Sequence, residues 1–378
     1  MTTQKLFAGI FFFTFFLGKG FSQITQTIRG KIIEKETQTE IVGADVYLTT
    51  DTTKKVGTTT DVNGDFRLEN VEIGRHSLKI SFIGYNDVFL SNIIVDAGKE
   101  VILNIEMEEK VNVKDEIVVT ANKQGESNNE MSSGSSRSFT IEETNRYSGS
   151  RGDPARMASN FAGVQGADDS RNDIVIRGNS PLGLLWRIEG IDIPNPNHFA
   201  VPGTTGGAIS ILNNKIFGQS DFMTGAFAAE FGNANAGVFD IRLRNGNNEK
   251  YEFTGQLGFL GTELAGEGPI NKNTGSTFLF TYRYSTLKIF ESFNIKLGTS
   301  AVPNYQDASF KLTFPTKKGA YFSVFGVGGM SNINIKLSDK PIDEIEIYGD
   351  SDRDQFFSTS TGIFGTTYSK RNIIVESE

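Results

Sequence analysis

Apolar and polar positions change rhythm four times along the chain. Behind Lys5, residues 6–17 form a Phe-rich apolar core. Twelve residues are too few to cross a bilayer as a helix, and Gly20 and Ser22 flank Phe21 in a small-x-small cleavage pattern, so residues 1–22 read as an export signal. From Thr27 to Met107 short β-branched runs are broken by Gly, Asn and Asp, which predicts strands at 27–34, 44–49, 54–60, 65–69, 76–82, 86–95 and 100–107. Seven short strands over this span predict a β-sandwich in residues 23–110. Asn63-Gly64 is expected to supply the positive φ angles of a tight hairpin turn. Residues 111–135 turn polar and rich in Ser, Asn and Gly, the composition of a linker.

Two helix starts follow. Thr140-Ile141-Glu142-Glu143 is a capping box, and Asp153-Pro154 is an N-cap followed by Pro at the first helical position, opening a helix expected to run from Ala155 to about Phe161 and to stop at Gly163. The N-cap reading of Asp153 is preferred to an integrin-type Arg151-Gly152-Asp153 motif. From Tyr251 the period becomes two. Tyr251, Phe253, Leu257 and Phe259 oppose Glu252, Thr254 and Gln256; Phe278, Phe280, Tyr282 and Tyr284 oppose Thr277, Thr281 and Arg283; Phe310, Leu312 and Phe314 oppose Lys311 and Thr313. One aromatic face and one polar face per strand is the pattern of a membrane barrel, so residues 247–378 are expected to supply about six of its strands. The fold class is therefore mainly β: a seven-stranded sandwich, an α+β domain in residues 136–246, then the first strands of an antiparallel transmembrane barrel.

Composition narrows the chemistry. Cysteine is absent, which removes disulfides and thiolate sites, and a net charge of −8 argues against a nucleic-acid partner. Only His76 and His198 carry imidazole, and neither lies in a zinc-peptidase spacing or beside a nucleophile elbow. Catalysis is not expected, and no cofactor or metal is implied. Asp61-x-Asn63-x-Asp65 has the spacing of half a calcium loop, but Glu72, seven residues beyond Asp65, reads as a strand residue rather than as the bidentate Glu of such a loop.

Two resemblances add to this. Arg29-Gly30-Lys31-Ile32, Gly43-Ala44-Asp45-Val46, Gly57 to Asp61, Gly64-Asp65-Phe66 and Phe82-Ile83-Gly84-Tyr85 resemble the carboxypeptidase regulatory-like (transthyretin-like) domain, commonly fused ahead of outer-membrane receptors in Bacteroidetes-type bacteria. Arg177-Gly178-Asn179, then Glu189-Gly190-Ile191-Asp192, then Gly225, then Glu230-Phe231-Gly232 and Gly237-Val238-Phe239, in that order, resemble the plug domain of TonB-dependent receptors. Together the resemblances cover nearly the whole mature chain.

They imply an outer-membrane receptor whose plug fills a barrel lumen, with outer-membrane lipid, an unidentified extracellular solute and the TonB complex as partners. Glu116, Ile117, Val118, Val119, Thr120 and Ala121 match a TonB box in position and character, although on pattern alone they also read as a last sandwich strand. Asn195, Asn197, His198 and Phe199 form a loop that either faces the solute or is a rigid turn with a surface histidine. Arg177 is expected to meet a carboxylate of the wall, Glu263 or Glu267, or else plug carbonyls. A complete barrel of this kind has about 22 strands, so the chain is expected to be the N-terminal portion of a receptor or the product of an interrupted reading frame. The alternative is a periplasmic or outer-membrane signalling or interaction module without transport of its own.

Overall fold

A computed structural model describes residues 25–35, 37, 39–49, 56–110, 135–147, 149–167, 171–200, 204–258, 261–286, 303–316, 320–335 and 355–369. The export signal at 1–22 and residues 116–121 lie outside them. The chain divides into two compact units, residues 1–122 and 123–378.

The first unit is a two-sheet sandwich of seven strands: β1 (Thr25–Glu34), β2 (Asp45–Leu48), β3 (Gly57–Thr59), β4 (Asp65–Glu72), β5 (Gly74–Ser81), β6 (Val88–Val95) and β7 (Val101–Met107). One sheet has the order β4-β1-β7, the other β3-β2-β5-β6. Alternation along the strands sends Ile28, Ile32, Leu68, Leu78, Ile80 and Met107 into the shared core. The turn from 61 to 65 needs a positive φ only at Gly64 (φ +73°), not at Asn63. Asp61 Oδ1 takes the amides of Asn63 and Asp65, both at 2.9 Å, so one oxygen of the half calcium loop closes the turn instead.

Arg29 of β1 and Arg67 of β4 stand directly opposite each other. Like charges across a ladder repel, and Glu100, just ahead of β7, relieves them. Its buried carboxylate lies 2.9 Å from Arg29 Nε and 3.7 Å from Arg67 Nη1. One anion therefore joins the three segments of the β4-β1-β7 sheet.

The second unit begins with an α+β domain built from β8 (Ser136–Phe139), α1 (Ile141–Arg146), α2 (Pro154–Ala158), β9 (Val164–Gly166), β10 (Ile174–Ile176), β11 (Leu184–Ile188), β12 (Ile191–Ile193), β13 (Asn197–His198), β14 (Ile209–Ser210), β15 (Ser220–Met223) and β16 (Gly237–Ile241). Its main sheet runs β12-β11-β16-β15-β8, with β11 and β16 parallel. Trp186 stacks on Phe239 with centroids 4.2 Å apart, and Phe222 lies 4.4 Å from Phe239, so one sheet face is an aromatic slab under which Met157 and Ala158 of α2 are buried. Helix α2 is shorter than the sequence predicts. Ser159 and Asn160 side chains bond the carbonyls of Arg156 and Met157, ending the helix before Phe161. The side chains of the 140–143 capping box lie largely outside the described residues.

Six antiparallel strands follow in sequence order: β17 (Glu252–Leu257), β18 (Thr262–Asn271), β19 (Ser276–Tyr284), β20 (Asn304–Pro315), β21 (Tyr321–Ile335) and β22 (Gln355–Ser369). Tyr305, Asp307, Ser309, Lys311 and Thr313 of β20 are buried on the side facing the α+β domain. Their neighbours Gln306, Ala308, Phe310, Leu312 and Phe314 point away.

On that outer face, rings cover glycines. A Cβ at Gly266 would meet Phe280 and Phe253 at 2.5 and 2.9 Å, and one at Gly326 would meet Phe310 at 2.6 Å. The outer face exposes Phe253, Leu264, Phe280, Met330 and Phe364.

Because Glu100 neutralises two opposed guanidinium groups from a buried position, Glu100→Ala is expected to destabilise the sandwich by about 3 kcal/mol, in the range for removing one partner of a buried pair. Urea unfolding of a 23–110 fragment checks it, with Arg67→Ala, whose partner is more distant and whose side chain is more exposed, losing less.

Candidate functional site

The seam between the α+β domain and the six-stranded sheet is where the charged side chains of the second unit converge. It is made by inner-face residues that the period-2 pattern turns inward and by turns of the α+β domain that reach them. Glu189 and Gly190 form the two-residue connection from β11 to β12, both at positive φ (+49° and +83°), the geometry of a primed hairpin turn. This turn presents the Glu189 carboxylate to Lys311, whose Nζ donates at 3.0 Å and also donates to the Leu243 carbonyl at 2.7 Å. Leu243 N–H donates to the same Glu189 oxygen at 2.6 Å, so one carboxylate ties β16's end, the hairpin and the sheet together.

Further along, Arg244 makes a two-pronged pair with Glu267 at 2.6 and 2.7 Å, and Asn247 N–H donates to Glu267 at 3.0 Å. Lys215 stands 2.8 Å from Glu263 and donates to Gln256 at 3.0 Å. A third cluster joins His198, whose Nε2 donates to Asp307 Oδ2 at 2.8 Å, to Arg283, whose Nε donates to the same oxygen at 2.9 Å. Arg283 also donates to the Ser210 carbonyl of β14. Burial lowers the His198 pKa from its ordinary value, and the Asp307 carboxylate opposes that shift. Shape assists: a Cβ at Gly329 would lie 2.6 Å from the His198 ring, and one at Gly365 would lie 2.6 Å from Ile191, so glycines on β21 and β22 let the domain approach the strand backbone.

The expected pairing of Arg177 with Glu263 or Glu267 is not observed. Arg177 (φ +50°) and Gly178 (φ +78°) form a tight turn closed by Asn179 N–H to the Ile176 carbonyl at 2.9 Å. That turn is exposed and carries the guanidinium to Ser135 and Thr224 hydroxyls at 3.3 and 3.2 Å, over Gly225. The two carboxylates are instead taken by Lys215 and Arg244.

The other plug-motif residues form a separate group. Arg187 donates to Asp192 at 2.8 Å and Glu230 at 3.3 Å, and lies 4.6 Å from the centre of the buried Phe231 ring. Gly232 is exposed with nothing crowding it.

In the 195–199 loop, Asn197 and His198 are both buried, so the reading of His198 as a surface residue is corrected: the β13–β14 pairing draws it into the seam. Asn195 donates to the carbonyls of Thr204 and Gly206 at 3.0 and 3.1 Å, and Phe199 N–H donates to Ser331 Oγ at 3.0 Å. An amide relay links this loop to α2. Asn172 Nδ2 donates to Asn197 Oδ1 and to Asp153 Oδ2, both at 2.6 Å, and Asp153 caps α2 through the amides of Ala155 and Arg156. Burial raises the Asp153 pKa, against the hydrogen bonds that favour its charge.

Sequence reading missed Asp307, Asn172 and the Glu189–Lys311 pair. The alternation Asp307, Ser309, Lys311, Thr313 was the available signal for the first of these and for Lys311. Among the described residues, no group of three or more His, Asp or Glu side chains is arranged to hold a metal ion, and no helix is long and apolar enough to cross a membrane.

Comparison with curated protein sequences gave no match. Among solved structures, similarity is partial. A cohesin–X-dockerin complex from Acetivibrio cellulolyticus aligns at 25% identity over 22% of this chain and 56% of that one, with a TM-score of 0.19. The pilus 2b backbone protein of group B streptococcus aligns at 19% identity over 22% and 41%, with a TM-score of 0.18. The ferric enterobactin receptor in complex with BCV-L6 aligns at 15% identity over 54% of this chain and 34% of that one, with a TM-score of 0.35. The chain thus spans about half the length of the first of these and about a third of the receptor's. Residues 27–108 match the family model of the carboxypeptidase regulatory-like domain, and this segment, the sandwich, is such a domain.

Proposed function

We propose that the chain is the N-terminal portion of an outer-membrane receptor for energy-dependent solute uptake, with residues 136–246 as its plug and the strands from 247 onward as its wall. The observation that carries this reading is the two-faced sheet. Its outward face exposes Phe253, Leu264, Phe280 and Phe364, while its inward face buries Glu267, Asp307 and Lys311 against the plug. In water such an outward face is a large apolar patch, whereas in a bilayer it meets hydrocarbon and the charges are shielded by the domain they enclose. Hydrocarbon also requires that sheet edges be paired, so β17 and β22 call for partner strands.

Residues 116–121 are the segment we assign to TonB, which would pair with them by backbone hydrogen bonds and pull on the plug. The sandwich is assigned to the periplasm. No catalytic role is assigned to the chain.

Fractionation of the native host tests the localisation: the protein should remain in the outer-membrane fraction after a carbonate wash, and recovery in the soluble periplasmic fraction would refute it. Val118→Pro removes a backbone donor from the TonB strand. With labelled cobalamin and ferric siderophores as probes, the variant should lose uptake of whichever the native protein imports while its outer-membrane abundance stays unchanged. Proteolysis of the sandwich in that variant would instead identify the segment as a last sandwich strand.

The Lys311–Glu189 pair holds the plug hairpin against the wall. Lys311→Met leaves a buried carboxylate without its cation and is expected to weaken plug seating by about 3 kcal/mol. Faster amide exchange at 189–191 and 242–244 and greater passive leakage of large antibiotics would register this, without loss of barrel yield. Adding Glu189→Gln should restore part of the protection.

A further inference from the structure

His198 is buried in the seam in a way that only its neutral form fits. Its Nε2–H is spent on Asp307, and Nδ1 is buried with no hydrogen-bond partner. From β20, Asp307 faces it and the Tyr305 ring lies 4.8 Å from its own; from β19, Arg283 shares Asp307; from β21, Gly329 meets it. Glu263 of β18 is paired with Lys215. The negative charge of Asp307 is therefore already balanced by Arg283. A second proton on His198 would add an uncompensated positive charge and a buried N–H donor with nothing to receive it, both costly in an enclosed site. Among the described residues, the loop that carries His198 also meets the sheet through the hydrogen bond from Phe199 N–H to Ser331 and through the Phe199 ring, edge-on to Tyr305 at 6.5 Å.

We propose that His198, Asp307 and Arg283 form an acid-released latch: the 195–199 loop is clamped to the wall when His198 is neutral and leaves it when His198 is protonated. This goes beyond solute uptake and stands on the seam geometry alone. The sign follows from linkage. Burial holds the His198 pKa below its ordinary value of 6.5, whereas in the released loop the ordinary value returns. The released state thus binds the proton more tightly. The clamp is at full strength above about pH 6.5 and weakens as pH falls through and below that value, tenfold for each unit by which the two pKa values differ. Asp153, the other titratable group of the relay behind this loop, has a raised carboxyl pKa and loses charge on acidification as well. A variant that removes only the imidazole separates the two.

The chain has no cysteine, so spin labels at Ala200→Cys and Met330→Cys occupy unique sites, and its two histidines contribute only four ring-nitrogen signals to a 15N spectrum. In detergent micelles the label pair should show one short, narrow distance at pH 8. A longer population should grow towards pH 5, with a midpoint coinciding with the His198 titration. His198→Gln keeps an N–H donor but cannot take the proton, and should hold the short distance at both pH values. A wild-type distance that does not change with pH overturns the proposal, as does a His198→Gln response that tracks the wild type. Should His198→Gln be open at both pH values, the wild-type midpoints decide: coincidence supports the latch and separation rejects it.

Discussion

A charge turned into an enclosed seam must meet its opposite there, and the second unit is organised around that requirement. The period-2 alternation of β18 to β20 places Glu263, Glu267, Arg283, Asp307 and Lys311 on one face. None of them has water as a ready partner, so the α+β domain must supply ions and backbone dipoles in matching positions. It does so from its least regular parts: the Glu189-Gly190 turn, the strand ends near Leu243 and Arg244, and the short β13 that carries His198. A slip of one residue in any of the three strands would turn these groups to the apolar outer face and leave their partners buried and unpaired.

Shape and polarity act together at this seam. Close approach of the domain needs gaps in the six-stranded sheet, which Gly329 and Gly365 provide, and a domain with an apolar slab needs somewhere to put it. Leu279, Phe325 and Val327 of that sheet join Trp186, Phe222 and Phe239 in one core, so the contact is part apolar and part ionic. The apolar part contributes adhesion without direction. The paired ions contribute position, because Arg244–Glu267 and Lys311–Glu189 are satisfied in only one seating. The sandwich repeats this economy on a smaller scale, where a single buried Glu100 allows two arginines to face each other across neighbouring strands.

The sequence by itself determined the strands. Periodicity placed the seven sandwich strands to within three residues at each end, and β19 and β20 carry the two faces read from Phe278, Phe280 and Thr281 and from Phe310 and Lys311, because side-chain direction in a strand is a local property. The Asp153 N-cap was legible for the same reason. What only the tertiary structure decided is who meets whom. Arg177 reads as a partner of Glu263 or Glu267 or of backbone carbonyls, yet the positive φ at Arg177 and Gly178 turns it outward. His198 reads as a loop tip, yet a two-residue strand pairing draws it under the wall to an aspartate 109 positions away. Glu189 reads as one residue of a motif and becomes the junction of three elements. These outcomes depend on which turn faces which strand, a long-range relation that no local pattern of residues encodes.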